Sequence, residues 1–135
     1  MADTAAELVL VVDDDDDLRQ LYRLHLELVG VRVVDAPDGA SGLAAARAER
    51  PNLIVLDLHM PEIDGWQVLR ELRADGQLGD LEVVVLTGTA DEATELRARE
   101  AGASSYVVKP VRIEDLVSVI LQQLGRPAPD PTPGA

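Results

Sequence analysis

Four short apolar runs in the chain each stop at a residue that can do chemistry. Residues 8–12 run into Asp13 and Asp14, residues 53–56 into Asp57, residues 83–86 into Thr87, and residues 106–108 into Lys109. Carboxylates, a hydroxyl and an amine together suit phosphoryl transfer. A carboxylate can attack phosphorus and carry the group as an acyl phosphate, while a cation and a hydroxyl neutralise its oxygens. Asp57 is the expected nucleophile, and Thr87 and Lys109 are its expected helpers. Three carboxylates brought together are unstable alone, because two unit charges about 4 Å apart repel by roughly 4 kcal/mol at an effective dielectric near 20. Either one holds a proton or all share a cation. Mg²⁺ uses one or two carboxylates and keeps several waters, which leaves room for a phosphate oxygen.

The acidic run of residues 13–17 has a simpler reading, a solvated helix start favoured by the helix dipole. That reading is adopted for Asp16 and Asp17. Asp13 and Asp14 directly follow a buried run and are assigned to the site. A calcium-binding hand fails, because the sixth position from Asp13 is Leu18 rather than Gly and the twelfth is Leu24 rather than Glu.

Such residues can meet only if the runs are strands that end at one edge. The continuous apolar character of residues 8–12 and 53–56 is that of strands covered on both faces. Further strands are expected at residues 31–36, 82–86 and 105–108. Helices are expected at residues 16–29, after the Pro37-Asp38-Gly39 turn to about Arg50, from Trp66 to about Ala74, at 91–101, and from Ile113 to Leu124. Gly30, Pro37-Asp38-Gly39, Pro51-Asn52 and Gly102-Ala103-Ser104 punctuate them. Strand and helix alternate, so the fold class is α/β: a doubly wound, five-stranded parallel sheet flanked by five helices. In such sheets ligands bind beyond the carboxyl ends of the strands, at the switch in strand order. Asp13, Asp14, Asp57, Thr87 and Lys109 all fall there.

The 135 residues suit one domain, expected at 8–124 between a loose lead-in at 1–7 and a Pro-rich tail at 125–135. Hydrophobic residues make up 47% of the chain, and with no Phe and only Trp66, Tyr22 and Tyr106 as aromatics the core must be aliphatic. A net charge of -13 argues against a broad nucleic-acid or anionic-membrane surface and favours cations or basic partners. The absence of cysteine excludes thiol chemistry. The first apolar run is too short for a signal-peptide core, and none approaches the ~20 residues of a membrane helix, so a cytoplasmic protein is expected.

The chain resembles the receiver domains of two-component response regulators, which are CheY-like. The resemblance rests on Val12-Asp13-Asp14-Asp15, on the stretch from Val55 through Asp57, His59, Met60 and Pro61 to Asp64-Gly65, on Leu86-Thr87-Gly88, and on Gly102-Ala103 leading to Lys109-Pro110. Four motifs in order, each at a strand end, are specific together though weak singly. The resemblance implies a flavodoxin-like strand order 2-1-3-4-5. It implies that Asp57 is phosphorylated from a phosphohistidine on a sensor histidine kinase or a histidine phosphotransfer protein, and that the domain then acts on a downstream protein. Asp14, Asp57 and the backbone carbonyl of His59 would bind Mg²⁺, with Asp13 acting largely through a metal-bound water. Thr87 and Tyr106 would form the switch, Thr87 shifting towards the phosphoryl group and Tyr106 turning inward. The Lys109-Pro110 bond would be cis. His59 and Thr89 occupy positions that tune loss of the phosphoryl group, and slow self-dephosphorylation is expected. The His59 imidazole is expected to face solvent, Asp57 to be open to solvent, and Trp66 to serve packing. A monomer or weak dimer is expected.

The competing function is a receiver-like docking or dimerisation module that no longer uses phosphate. All five site positions hold competent residues, which speaks against it. A phosphatase of the haloacid dehalogenase type needs a second Asp two positions after the first, where this chain has His59. A flavodoxin needs a Ser/Thr/Gly-rich phosphate loop after the first strand, where this chain has acids.

Overall fold

The computed structural model describes residues 7–60, 64–88 and 90–125. Most of the expected lead-in and tail, the Pro61-Glu62-Ile63 segment and Thr89 lie outside the described residues. In chain order the elements are β1 (Leu8–Val12), α1 (Asp16–Leu28), β2 (Arg32–Ala36), α2 (Gly39–Glu49), β3 (Leu53–Asp57), α3 (Gly65–Ala74), β4 (Glu82–Thr87), α4 (Glu92–Glu100), β5 (Ser105–Val108) and α5 (Ile113–Gln123). The strands form one parallel sheet in the order β2-β1-β3-β4-β5. The expected doubly wound architecture and strand order are those observed.

The strands are apolar throughout because both faces are covered. Side chains alternate across the sheet, so Leu10, Val12, Ile54, Leu56, Val83 and Val85 pack with Leu43 of α2 and Leu69 and Leu72 of α3. Val9, Val11, Val55, Val84 and Leu86 face the other way, against Tyr22 and Leu26 of α1 and Leu116 and Ile120 of α5. Burying each such side chain stabilises the fold by roughly 1.5–3 kcal/mol. In α4 the one buried residue is Ala98, and Leu96 is 58% exposed.

Local rules refine the expected boundaries. Asp15, Asp38, Asp64 and Asp91 cap α1, α2, α3 and α4, each carboxylate accepting from the backbone N–H three residues on. Asp91 thus precedes α4 rather than opening it, and Ala101 caps its other end. The N–H groups of Val29 and Val31 both donate to Leu26 O, which ends α1 and delays β2 by one residue. Arg50 takes a left-handed conformation (φ 50°) to close α2, and Pro51 follows. Both β3 and β4 run one residue further than expected. Asp57 pairs with Leu86 and Thr87 with Val108, which carries both candidate residues into the ladder itself.

Gly65 opens α3 against the end of β3. A Cβ there would stand 2.4 Å from Asp57 O and 2.6 Å from Leu58 Cα, and backbone cannot yield cheaply. At Gly42 the atoms nearest an added Cβ would be the two Val12 methyl carbons, at 2.9 Å, which belong to a side chain and not to backbone. Gly65→Ala is therefore expected to destabilise the protein by about 3 kcal/mol, and Gly42→Ala by about 1 kcal/mol or less after its gain in helix propensity. Urea unfolding of both variants checks the order; equal losses would contradict it.

Candidate functional site

The carboxyl ends of β1, β3, β4 and β5 gather the polar residues that terminate the apolar runs. Lys109 Nζ lies 3.1 Å from Asp57 Oδ2 and 3.3 Å from Asp13 Oδ2, so one ammonium bridges two carboxylates from different strands. The remaining oxygens are also held: Asp13 Oδ1 accepts from the Asp15 N–H at 2.9 Å, and Asp57 Oδ1 from the His59 N–H at 3.0 Å. Asp14 is exposed beside them. Asp13, Asp14 and Asp57 each offer an oxygen within 4.8 Å of the others. Three carboxylates face one ammonium, which leaves negative charge for a hard cation to neutralise, and an all-oxygen donor set suits such an ion. This acidic pocket could bind a metal ion.

Thr87 is fully buried at the end of β4. Its Oγ1 lies 3.1 Å from Nε2 of His59. His59 is exposed, as expected, and its contact with Thr87 is an addition that the sequence did not suggest. β3 and β4 are parallel neighbours, so the loop leaving β3 passes over the end of β4. Tyr106 is half-buried on β5 and packs at the edge of the cluster that holds α3. Partial burial, and then the charges of Asp91 and Glu95, hold its phenol above the usual range. The Lys109-Pro110 peptide is cis. Trp66 is half-buried against the same cluster, with the Arg97 guanidinium 3.9 Å above its ring.

Asp57 is less open than expected, its side chain being only 4% exposed. Asp57 is the last residue of β3 and lies inside the ladder, opposite Leu86. The Lys109 side chain, itself 25% exposed, brings its ammonium to 3.1 Å from the carboxylate. At Gly88, next to Thr87, an added Cβ would meet nothing within 4 Å.

Arg19 was not legible as part of this region. It is 8% exposed, and its guanidinium donates to the Asp13 carbonyl at 2.8 Å, to Asp35 Oδ2 at 2.9 Å and to Asp16 Oδ1 at 2.5 Å. It ties the loop after β1 to β2. A lone arginine on a helix among leucines carries no pattern that announces burial; the acid three residues before it was the one available signal.

Burial pushes the Asp13 carboxyl above its ordinary value of 3.8, the Asp57 charge adds to this, and the Asp15 N–H and Lys109 oppose it. Burial alone would lower Lys109; the charges of Asp13 and Asp57 outweigh it and keep the ammonium charged above its usual range. A carboxyl raised on folding takes up protons, so its contribution to stability falls as pH rises from 3.8 through the raised native value. Asp13→Asn is therefore expected to raise the melting temperature of the metal-free protein by a few degrees at pH 7, and the gain to vanish as pH is lowered towards 4. Thermal melts in EDTA check this; a variant less stable than wild type at pH 7 would contradict it.

Comparison with known proteins agrees with the geometry. The family model described as the response regulator receiver domain matches residues 9–121. The chain is 37% identical over 120 residues to the probable transcriptional regulator ycf27 of Porphyridium aerugineum, covering 89% of this chain and 49% of that protein. It is 38% identical over 122 residues to the response regulator MprA of Mycolicibacterium vanbaalenii, covering 90% and 52%. The chain thus spans about half the length of the curated relatives it matches. Among solved structures it resembles the chemotaxis response regulator CheY4 of Vibrio cholerae, with TM-score 0.84, 28% identity, and coverage of 88% of this chain and 99% of that one. A CheY-like receiver domain protein from Methanospirillum hungatei gives TM-score 0.83 at 28% identity, covering 90% and 95%. With four strand ends converging on an acidic pocket and a bridging lysine, the chain belongs to the family of response regulator receiver domains.

Proposed function

We propose that this domain accepts a phosphoryl group on Asp57 from a phosphohistidine of a sensor kinase or phosphotransfer protein, and that the modification changes how the domain binds a downstream partner. The observation that carries this reading is the bridging ammonium, 3.1 Å from Asp57 at the same strand edge as Thr87. A carboxylate oxygen of Asp57 forms the new P–O bond as the P–N bond of the phosphohistidine breaks. The leaving nitrogen keeps the electron pair, and the imidazole takes up a proton from solvent. Lys109 transfers its contact from the carboxylate to a phosphoryl oxygen, and the Thr87 hydroxyl donates to another. Asp13, Asp14 and Asp57, with the carbonyl of His59, would hold Mg²⁺. That ion would supply charge neutralisation at the phosphoryl oxygens.

The switch is assigned to α4, β5 and α5. α4 buries only Ala98 and touches α3 through the stacked Arg97 and Trp66, so little packing opposes its displacement. Tyr106 on β5 lies in the field of Asp91, which caps α4, and of Glu95 within it, and is assigned as the side chain that responds to a shift of α4.

Incubation with phosphoramidate and Mg²⁺ is expected to add one phosphoryl mass to the intact protein. Asp57→Asn is expected to abolish the addition. Lys109→Met is expected to slow it by about a hundredfold, the order for losing one charge-assisted contact in a transition state. Intact-protein mass spectrometry reads all three. No addition to wild type would leave the docking module as the better reading.

A further inference from the structure

We propose that His59 is a positioning residue for the Thr87 hydroxyl. Its imidazole donates from Nε2–H to Thr87 Oγ1 and so directs the hydroxyl hydrogen at a phosphoryl oxygen on Asp57. The inference rests on the phosphoacceptor reading above and adds a residue role to it.

Two bonds from one residue support it. The His59 backbone N–H donates to Asp57 Oδ1 at 3.0 Å, and its Nε2 lies 3.1 Å from Thr87 Oγ1. His59 thus links the phosphoacceptor to the hydroxyl that must serve it. The direction of the second bond follows from valence. Phosphoryl oxygens only accept, so Thr87 must use its single hydrogen on them. A threonine oxygen has lone pairs left over, and the imidazole can then only donate to it. The resulting chain runs from Nε2–H to Oγ1 and from Oγ1–H to the phosphoryl oxygen. Thr87 is fully buried at the end of β4. Substitution of the His59 side chain leaves the backbone N–H and carbonyl in place, and with them the contact to Asp57.

The test is a double-substitution cycle on labelling by phosphoramidate with Mg²⁺, followed by intact mass, with thermal melts to confirm that each variant is folded. His59→Met fills similar space without a donor and is expected to label about fivefold more slowly, the order of one neutral hydrogen bond. His59→Gln carries a donor at the same reach and is expected to restore most of the rate. In a Thr87→Ala background, His59→Met is expected to have no further effect. A His59→Met variant as fast as wild type would overturn the proposal. So would a fivefold loss that persists without the Thr87 hydroxyl, or a Gln variant as slow as Met. Failure of wild type to label at all would overturn the phosphoacceptor reading and this proposal with it; labelled wild type with unaffected His59 variants overturns only the latter.

Discussion

Lys109 Nζ stands between Asp13 and Asp57, two nearly buried carboxylates that would otherwise repel one another. The three groups come from β1, β3 and the end of β5 and are separated in sequence by up to 96 residues. Burying both acids without a cation would cost several kcal/mol or force a proton onto one of them. The sheet therefore closes around an ion pair that is adequate but not saturated. Asp13 remains raised despite the lysine, and Asp14 adds a third carboxylate at the rim. That residual negative charge is what a hard cation and then a phosphoryl group can exploit, the first by adding positive charge and the second by claiming the ammonium.

The remainder of the fold serves to hold those strand ends in register. Parallel pairing places Asp57 opposite Leu86 and Thr87 opposite Val108, so neighbouring strands deliver their functional residues within one residue of each other. Two aliphatic layers fix the sheet from either side. Gly65 lets α3 start directly against the carbonyl of Asp57, and Arg19 fastens the loop that carries Asp13 and Asp14. The exception is α4, which has a single buried residue, a long exposed leucine and a cation–π contact in place of a packed apolar face. An element so lightly fastened beside a tightly determined site is suited to respond to the site.

Much of this was legible in the sequence, for a definite reason. A strand buried on both faces reads as an unbroken apolar run, and its end is visible because the next residue is polar. Asp13, Asp57, Thr87 and Lys109 announced themselves in that way, and alternation with helices supplied the parallel sheet that brings them to one edge. The Asp caps at Asp15, Asp38, Asp64 and Asp91 were hidden among the many acids of a chain with net charge -13. Contacts between elements were hidden too. Nothing local distinguishes Arg19 from a surface arginine, and the His59 imidazole meets Thr87 only because β3 and β4 are adjacent. The burial of Asp57 was misjudged because the apolar run was read as ending before it, whereas β3 carries it into the ladder opposite Leu86.

The central claim is that the ammonium bridging Asp13 and Asp57 is the group that a phosphoryl moiety takes over. A high-resolution crystal structure of the protein loaded with Mg²⁺ and beryllofluoride, a stable mimic of the phosphoryl group, tests it most directly. The account predicts beryllium bonded to an Asp57 oxygen, with Lys109 Nζ and Thr87 Oγ1 each within hydrogen-bonding distance of a fluorine. Beryllofluoride bound on Asp57 with Lys109 still held between the two carboxylates, or bound away from Asp57 altogether, would contradict it.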